Sequence, residues 1–203
     1  MKASESVSIA SLPVALHWRE SAESWKAGED FLELRAGPST DLFVDPAGGE
    51  PLLSAPSLVG RVPEGDFLFS ARVVADQVST FDAGVLLVYR DPERWAKLCL
   101  ERSPQGEATI VSVVTRGVSD DCNSFACPGK AALLRIARIE RCLAFHASTG
   151  EGFWRLVRYF DLGGDGPLEI GFLAQSPTGA GCTVRFEHVA FEQATLGDIR
   201  NGE

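Results

Sequence analysis

Between Phe31 and Phe191 the chain is a succession of short apolar–polar alternations, each broken by Gly, Pro, Asp or Asn, and no segment holds a helical period. A period of two puts alternate side chains on opposite faces of an extended strand, so a chain punctuated in this way folds as an all-β protein. Twelve candidate strands follow: Phe31 to Arg35, Asp41 to Val44, Ser57 to Val62, Phe67 to Ala75, Gly84 to Arg90, Trp95 to Glu101, Thr109 to Arg116, Leu133 to Ile139, Cys142 to Ser148, Phe153 to Phe160, Leu168 to Gln175 and Cys182 to Phe191. So many short strands exceed what one open sheet carries, and the economical arrangement is a two-sheet antiparallel β-sandwich. No Pro/Gly/Ser-rich linker divides the 203 residues, which read as a single β-sandwich domain with tails at 1–13 and 193–203.

The segment Asp82 to Glu101, DAGVLLVYRDPERWAKLCLE, reads as a hairpin with two chemically different faces. A turn at Asp91-Pro92-Glu93 that pairs Arg90 with Arg94 sets Val88 opposite Ala96, Leu86 opposite Leu98 and Gly84 opposite Leu100, a core face. The reverse face then carries Tyr89, Trp95, Lys97 and Glu101, an aromatic and polar set suited to holding a ligand. A second hairpin turns on Glu140-Arg141, between Ile139 and Cys142. A two-residue loop there sets Ile136 opposite Phe145, Arg135 opposite His146 and Leu133 opposite Ser148, so a cation and an imidazole become cross-strand neighbours.

Charge and cysteine usage narrow the partners. A net charge of −9 opposes binding to nucleic-acid backbones or anionic membranes, and the apolar runs are too short to cross a bilayer. The N-terminus is interrupted by Ser and Pro wherever an apolar signal core would begin, so the expectation is a cytoplasmic protein. Five cysteines, an odd number dispersed through the strands, suit reduced thiols. Cys122 and Cys127 are too far apart for a redox Cys-x-x-Cys and lack a second pair or clustered His, so neither a metal nor a cofactor is expected.

The remaining motifs read chiefly as turns. Arg116 to Ser124, RGVSDDCNS, is expected to be a loop; Asp120, Asp121 and Asn123 lack the spacing of a calcium loop, and Asp120 is assigned to the rim of a binding site. Ser148 to Trp154 is a hairpin turn with a packing Trp, and Asp45 to Gly49 is a turn able to border a groove. His17, His146 and His188 are far apart in sequence, which gives little support to triad or metal chemistry.

The stretches WAKLCLE (95–101), SPQG (103–106), VSVVTRGVSDDCNS (111–124), LVRYF (156–160) and GFLAQSPTG (171–179), continuing to Cys182, resemble the DUF1349 family of the concanavalin A-like lectin/glucanase superfamily. The resemblance covers most of the chain from about Trp18 onward. It implies a two-sheet jelly roll with a concave and a convex sheet, the concave one binding glycans in superfamily relatives. Some members carry a label linking them to enolase regulation, which names no residues.

Three functional readings follow. The first is a non-catalytic module whose concave sheet accepts a carbohydrate-like or polyhydroxylated small molecule, with Trp95 stacking on the ligand and Lys97, Glu101, Arg135 and His146 hydrogen-bonding to it. The second is a glycan-active hydrolase in which Glu101 acts with Asp82, Asp120 or His146. Glu101 has no carboxylate at i−2 or i+2, as the superfamily's same-strand pair would require. The third is a protein-interaction module that docks a metabolic enzyme or forms a homodimer through the same face.

Overall fold

A computed structural model describes residues 6–203 and contains sixteen strands among them. In chain order they are β1 (His17–Glu20), β2 (Ser24–Ala27), β3 (Leu32–Ala36), β4 (Leu42–Phe43), β5 (Leu52–Leu53), β6 (Ser57–Arg61), β7 (Phe67–Ala75), β8 (Ala83–Asp91), β9 (Arg94–Arg102), β10 (Ala108–Arg116), β11 (Val118–Ala126), β12 (Ala131–Ile139), β13 (Cys142–Ser148), β14 (Arg155–Asp161), β15 (Glu169–Gln175) and β16 (Cys182–Glu192). They form two seven-stranded antiparallel sheets, β1-β6-β15-β8-β9-β10-β11 and β14-β13-β12-β7-β16-β3-β2, with β4 and β5 making a small separate hairpin. The protein is therefore the all-β sandwich that its alternation predicts.

The sheets close on each other through side chains of strict period two. In β7, Phe67, Phe69, Ala71, Val73 and Ala75 all enter the inter-sheet core, while the intervening residues are half-buried. Phe172 of the first sheet reaches between Phe69 and Phe186 of the second, at centroid separations of 5.4 and 4.8 Å. Close approach explains Gly84: a Cβ there would lie 2.5 and 2.6 Å from methyls of Val184 and Val73 in the facing sheet.

Both expected hairpins form. The β8–β9 register joins Val88 to Ala96, Leu86 to Leu98 and Gly84 to Leu100, but a bulge pairs Arg94 with Asp91 in place of Arg90. In β12–β13, Ile136 faces Phe145, Arg135 faces His146 and Leu133 faces Ser148. Glu140 takes the left-handed conformation (φ 55°) that a two-residue turn demands of its first residue.

Four strands lie outside the expected set. β1, β2 and β5 are short, and the expected loop Arg116–Ser124 is instead a tight turn at Gly117 followed by the edge strand β11. Almost all of β11 is exposed, so it carries no apolar alternation by which to announce itself. Of the segments expected as tails, residues 1–5 lie outside the described residues, and 6–13 and 193–203 are packed against the body. Val7 bridges Leu16, with Val7, Ile9 and Leu12 in the core, and Leu196 is buried on the outer face of the second sheet.

Candidate functional site

Strand β9 alternates between the core, through Ala96, Leu98 and Leu100, and the outer face of the first sheet, through Trp95, Lys97, Cys99 and Glu101. That outer face is crossed by residues 37–56, an arm that contains the β4–β5 hairpin. The arm is fastened at one end by Thr40 bridging Ser176 and at the other by Ser119, whose amide donates to the Val44 carbonyl while its Oγ accepts from the Val44 amide. Leu42 and Ala55 of the arm seal a second apolar cluster over Val59, Leu87, Tyr89 and Trp95. This is why β8 is buried on both faces.

Where the arm stops, a cleft of about 260 Å³ remains, with Lys97, Glu101, Asp121 and Gln175 on its polar side and Phe43, Phe81 and Val113 on its apolar side. The register explains the convergence: Lys97 stands beside Val113 and Val113 beside Asp121, while Glu101 and Gln175 flank the small Ala83. Lys97 is only 2% exposed. Its Nζ donates to Gln175 Oε1 at 3.0 Å and lies 3.5 Å from Asp41 Oδ1, and it is 5.9 Å from the ring centroids of Phe43 and Trp95. Gln175 Nε2 in turn donates to the Phe81 carbonyl at 3.2 Å.

Glu101 keeps limited access to solvent through the cleft mouth but is otherwise surrounded by protein. Desolvation pushes its carboxyl up to about 8; Lys97 opposes the shift, and Asp121 and Asp41 reinforce it. The group is therefore largely protonated at neutral pH and can donate as well as accept a hydrogen bond. Asp121 is also raised, by desolvation first and by Asp120, against the opposing pull of Lys97, the Cys122 amide and Arg158. Phe81 is 38% exposed and adopts a left-handed backbone (φ 69°), held there by its amide bonding to the Arg102 carbonyl. A bulky side chain kept in that conformation stores strain of about 1–3 kcal/mol, a cost that clusters at ligand clamps.

Of the six residues singled out from sequence, Lys97 and Glu101 meet in this cleft and four do not. Trp95 is fully buried beneath the arm, so its indole offers no face to a ligand. Asp120 points away from Asp121, as neighbours on a strand must, and pairs with Arg158 at 2.9 Å. Arg135 and His146 are on the second sheet. The C-terminal segment covers them: Arg135 Nη2 donates to the Gly202 carbonyl at 2.7 Å with its guanidinium over Trp154, and His146 Nε2 bonds the Ile199 carbonyl at 2.8 Å. Burial, aided by Arg135, lowers the His146 pKa despite that bond. Asp82 is fully buried and accepts from the Val78 and Ser79 amides and the Ser176 hydroxyl, which marks it as a turn-holding group.

Sequence reasoning missed Asp41, Phe43, Phe81, Asp121 and Gln175. Asp121 had a usable signal, since Ser119, Asp121 and Asn123 alternate in register with Thr115, Val113 and Val111 once the segment is treated as a strand. The others come from the arm, a loop and a distant strand, and local pattern does not bring them together.

Comparison with solved structures places this architecture among known sandwiches. The chain matches a functionally unknown protein from Saccharomyces cerevisiae with a TM-score of 0.78 at 23% identity, over 89% of this chain and 96% of that one. It matches the GH43 BlXynB protein from Bacillus licheniformis with a TM-score of 0.71 at 14% identity, over 88% of this chain but only 37% of that one. A legume lectin-like domain from Entamoeba histolytica aligns with a TM-score of 0.57 at 10% identity, over 87% and 90% of the two chains. At these identities the likeness is one of fold. No curated protein matches by sequence. A family model does, over residues 18–194, and the chain accordingly belongs to DUF1349, a family of proteins of unknown function.

Proposed function

We propose that the protein is a binding module whose cleft beside β9 accepts a carbohydrate-like, polyhydroxylated small molecule. The observation that carries this reading is the meeting, in one cleft, of hydrogen-bonding groups from Lys97, Glu101, Asp121 and Gln175 with the partly exposed ring of Phe81. Sugars offer hydroxyls of both donor and acceptor character and an apolar face of C–H groups, and this lining answers both. Phe81 takes the stacking role that the buried Trp95 cannot. The lectin-like fold of one structural neighbour is an analogy that agrees with this reading.

Calorimetric titration against a panel of mono- and oligosaccharides tests it. At least one sugar should bind saturably, and Phe81→Ala should weaken that binding by about tenfold, a typical worth for a stacked ring. A folded protein that binds no member of the panel overturns the reading.

A second reading has one observation in its favour. Glu101 and Asp121 are two carboxyl groups on a shared cleft, one of them protonated at neutral pH, as acid-assisted glycoside cleavage requires. Release of aryl leaving groups from a glycoside panel, abolished in Glu101→Gln, would establish hydrolysis. Binding without release leaves the module non-catalytic.

A further inference from the structure

At the opposite end of β8 from the cleft, the turns of both sheets meet around the loop Asp161 to Leu168, DLGGDGPL. A cavity of about 450 Å³ lies there, lined by Arg90, Arg138 and Arg141, by Asp161 and Asp165, and by Gly163, Gly164 and Gly166. Three guanidinium groups on one cavity are unexpected in a chain of net charge −9. Two of them, Arg90 and Arg138, reach only carbonyl oxygens, those of Gly164 and Glu140, while Arg141 pairs with Asp161 at 2.6 Å. Arg90 also buries its Nε without any hydrogen-bond partner, a costly arrangement unless a ligand supplies the acceptor.

The loop beside these cations turns tightly. Gly163, Gly164 and Gly166 all have positive φ (72°, 74° and 117°), and the Gly163 amide donates to Asp161 Oδ1 at 2.9 Å. At Gly164 a Cβ would also crowd the Arg94 side chain, 2.8 Å from its Cδ. Three guanidinium forks on one small cavity form a donor set that recognises a tetrahedral oxyanion, which would take the place of Asp161 on Arg141.

We infer that this cavity is a second site, independent of the β9 cleft, which binds a phosphate or sulfate group through Arg90, Arg138 and Arg141. The group would arrive either as a free ion or as an ester on a larger molecule.

Backbone amide NMR of the full chain at low ionic strength tests it, with inorganic phosphate, sulfate, glucose 6-phosphate and, as an ionic-strength control, chloride. Phosphate or sulfate should give saturable shifts confined to the 163–166 loop and the β8–β9 and β12–β13 turns. Arg138→Gln and Arg141→Gln, both at exposed turn positions, should each weaken binding by about tenfold, the usual worth of one charge-assisted contact. Tighter binding of glucose 6-phosphate than of inorganic phosphate would identify the ester as ligand, and equal binding the free ion. Shifts that chloride reproduces, shifts that never saturate, or affinities unchanged in both variants overturn the proposal. Because the variants lie far from Glu101 and Phe81, sugar binding at the cleft should be unaffected by them.

Discussion

The outer faces of the two sheets carry similar chemistry and have opposite fates. On the first, Glu101 opens onto a cleft floored by the buried Lys97, beside an arm that stops short of Glu101. On the second, Arg135 and His146 are just as polar, yet residues 196–202 lie across them and bond each through one carbonyl oxygen, while Arg135 Nε and His146 Nδ1 stay buried without a partner. A polar stripe on a strand can thus hold a ligand or seat the chain's own backbone. The deciding quantity is whether a segment of the same chain lies across the stripe.

The sharpest way to break this comparison is His146→Ala. It removes a fully buried ring and the bond that pins the C-terminal segment, and should cost about 2–4 kcal/mol in urea unfolding without altering sugar titrations. Loss of sugar binding with stability intact would reverse the two assignments.

Glu101→Gln probes the other face through pH. The native carboxyl titrates near 8 against about 4.5 in the unfolded chain, so between those values the native state holds more protons than the unfolded one. That stabilising contribution is complete below about 4.5 and is lost as the pH rises through 8. Lys97 limits the loss, while Asp121 and Asp41 deepen it. The wild-type protein should lose stability from mildly acid to alkaline pH on the order of 2 kcal/mol through this group, allowing for its partial access to solvent, and the Gln variant should lack that slope.

Arg135→Ala should cost less, about 1–2 kcal/mol, by removing the bond to Gly202 and the packing on Trp154. The smallest stability effect belongs to Phe81→Ala. Its partly exposed ring should change unfolding by less than about 1 kcal/mol while weakening sugar binding, which separates a ligand contact from a structural one.

Legibility followed burial. β7 and β13 fall on the residues expected, Phe67–Ala75 and Cys142–Ser148, because interior strands with a buried face must alternate. The edge strands β1, β2 and β11 were opaque because solvent on their exposed faces imposes no pattern. Reading β11 as a loop placed Asp120 at the site rim where its neighbour Asp121 belongs, a slip of one residue that exchanges the two faces of a strand. Lys97 and Glu101 were legible because four residues along one strand share a face whatever the fold around them.

By itself, then, the sequence determined the all-β class, the registers of the two hairpins apart from the bulge at Asp91, and the faces on which Lys97, Glu101, Arg135 and His146 emerge, since these depend on local period and turn chemistry. Only the tertiary structure decided which sheet each hairpin joined, that the arm would bury Trp95, that Asp41, Phe81 and Gln175 would complete the cleft, and that the C-terminal segment would close over Arg135 and His146. Those outcomes depend on contacts between residues distant along the chain, such as Lys97 with Gln175 and Arg135 with Gly202, and no local pattern encodes the partner.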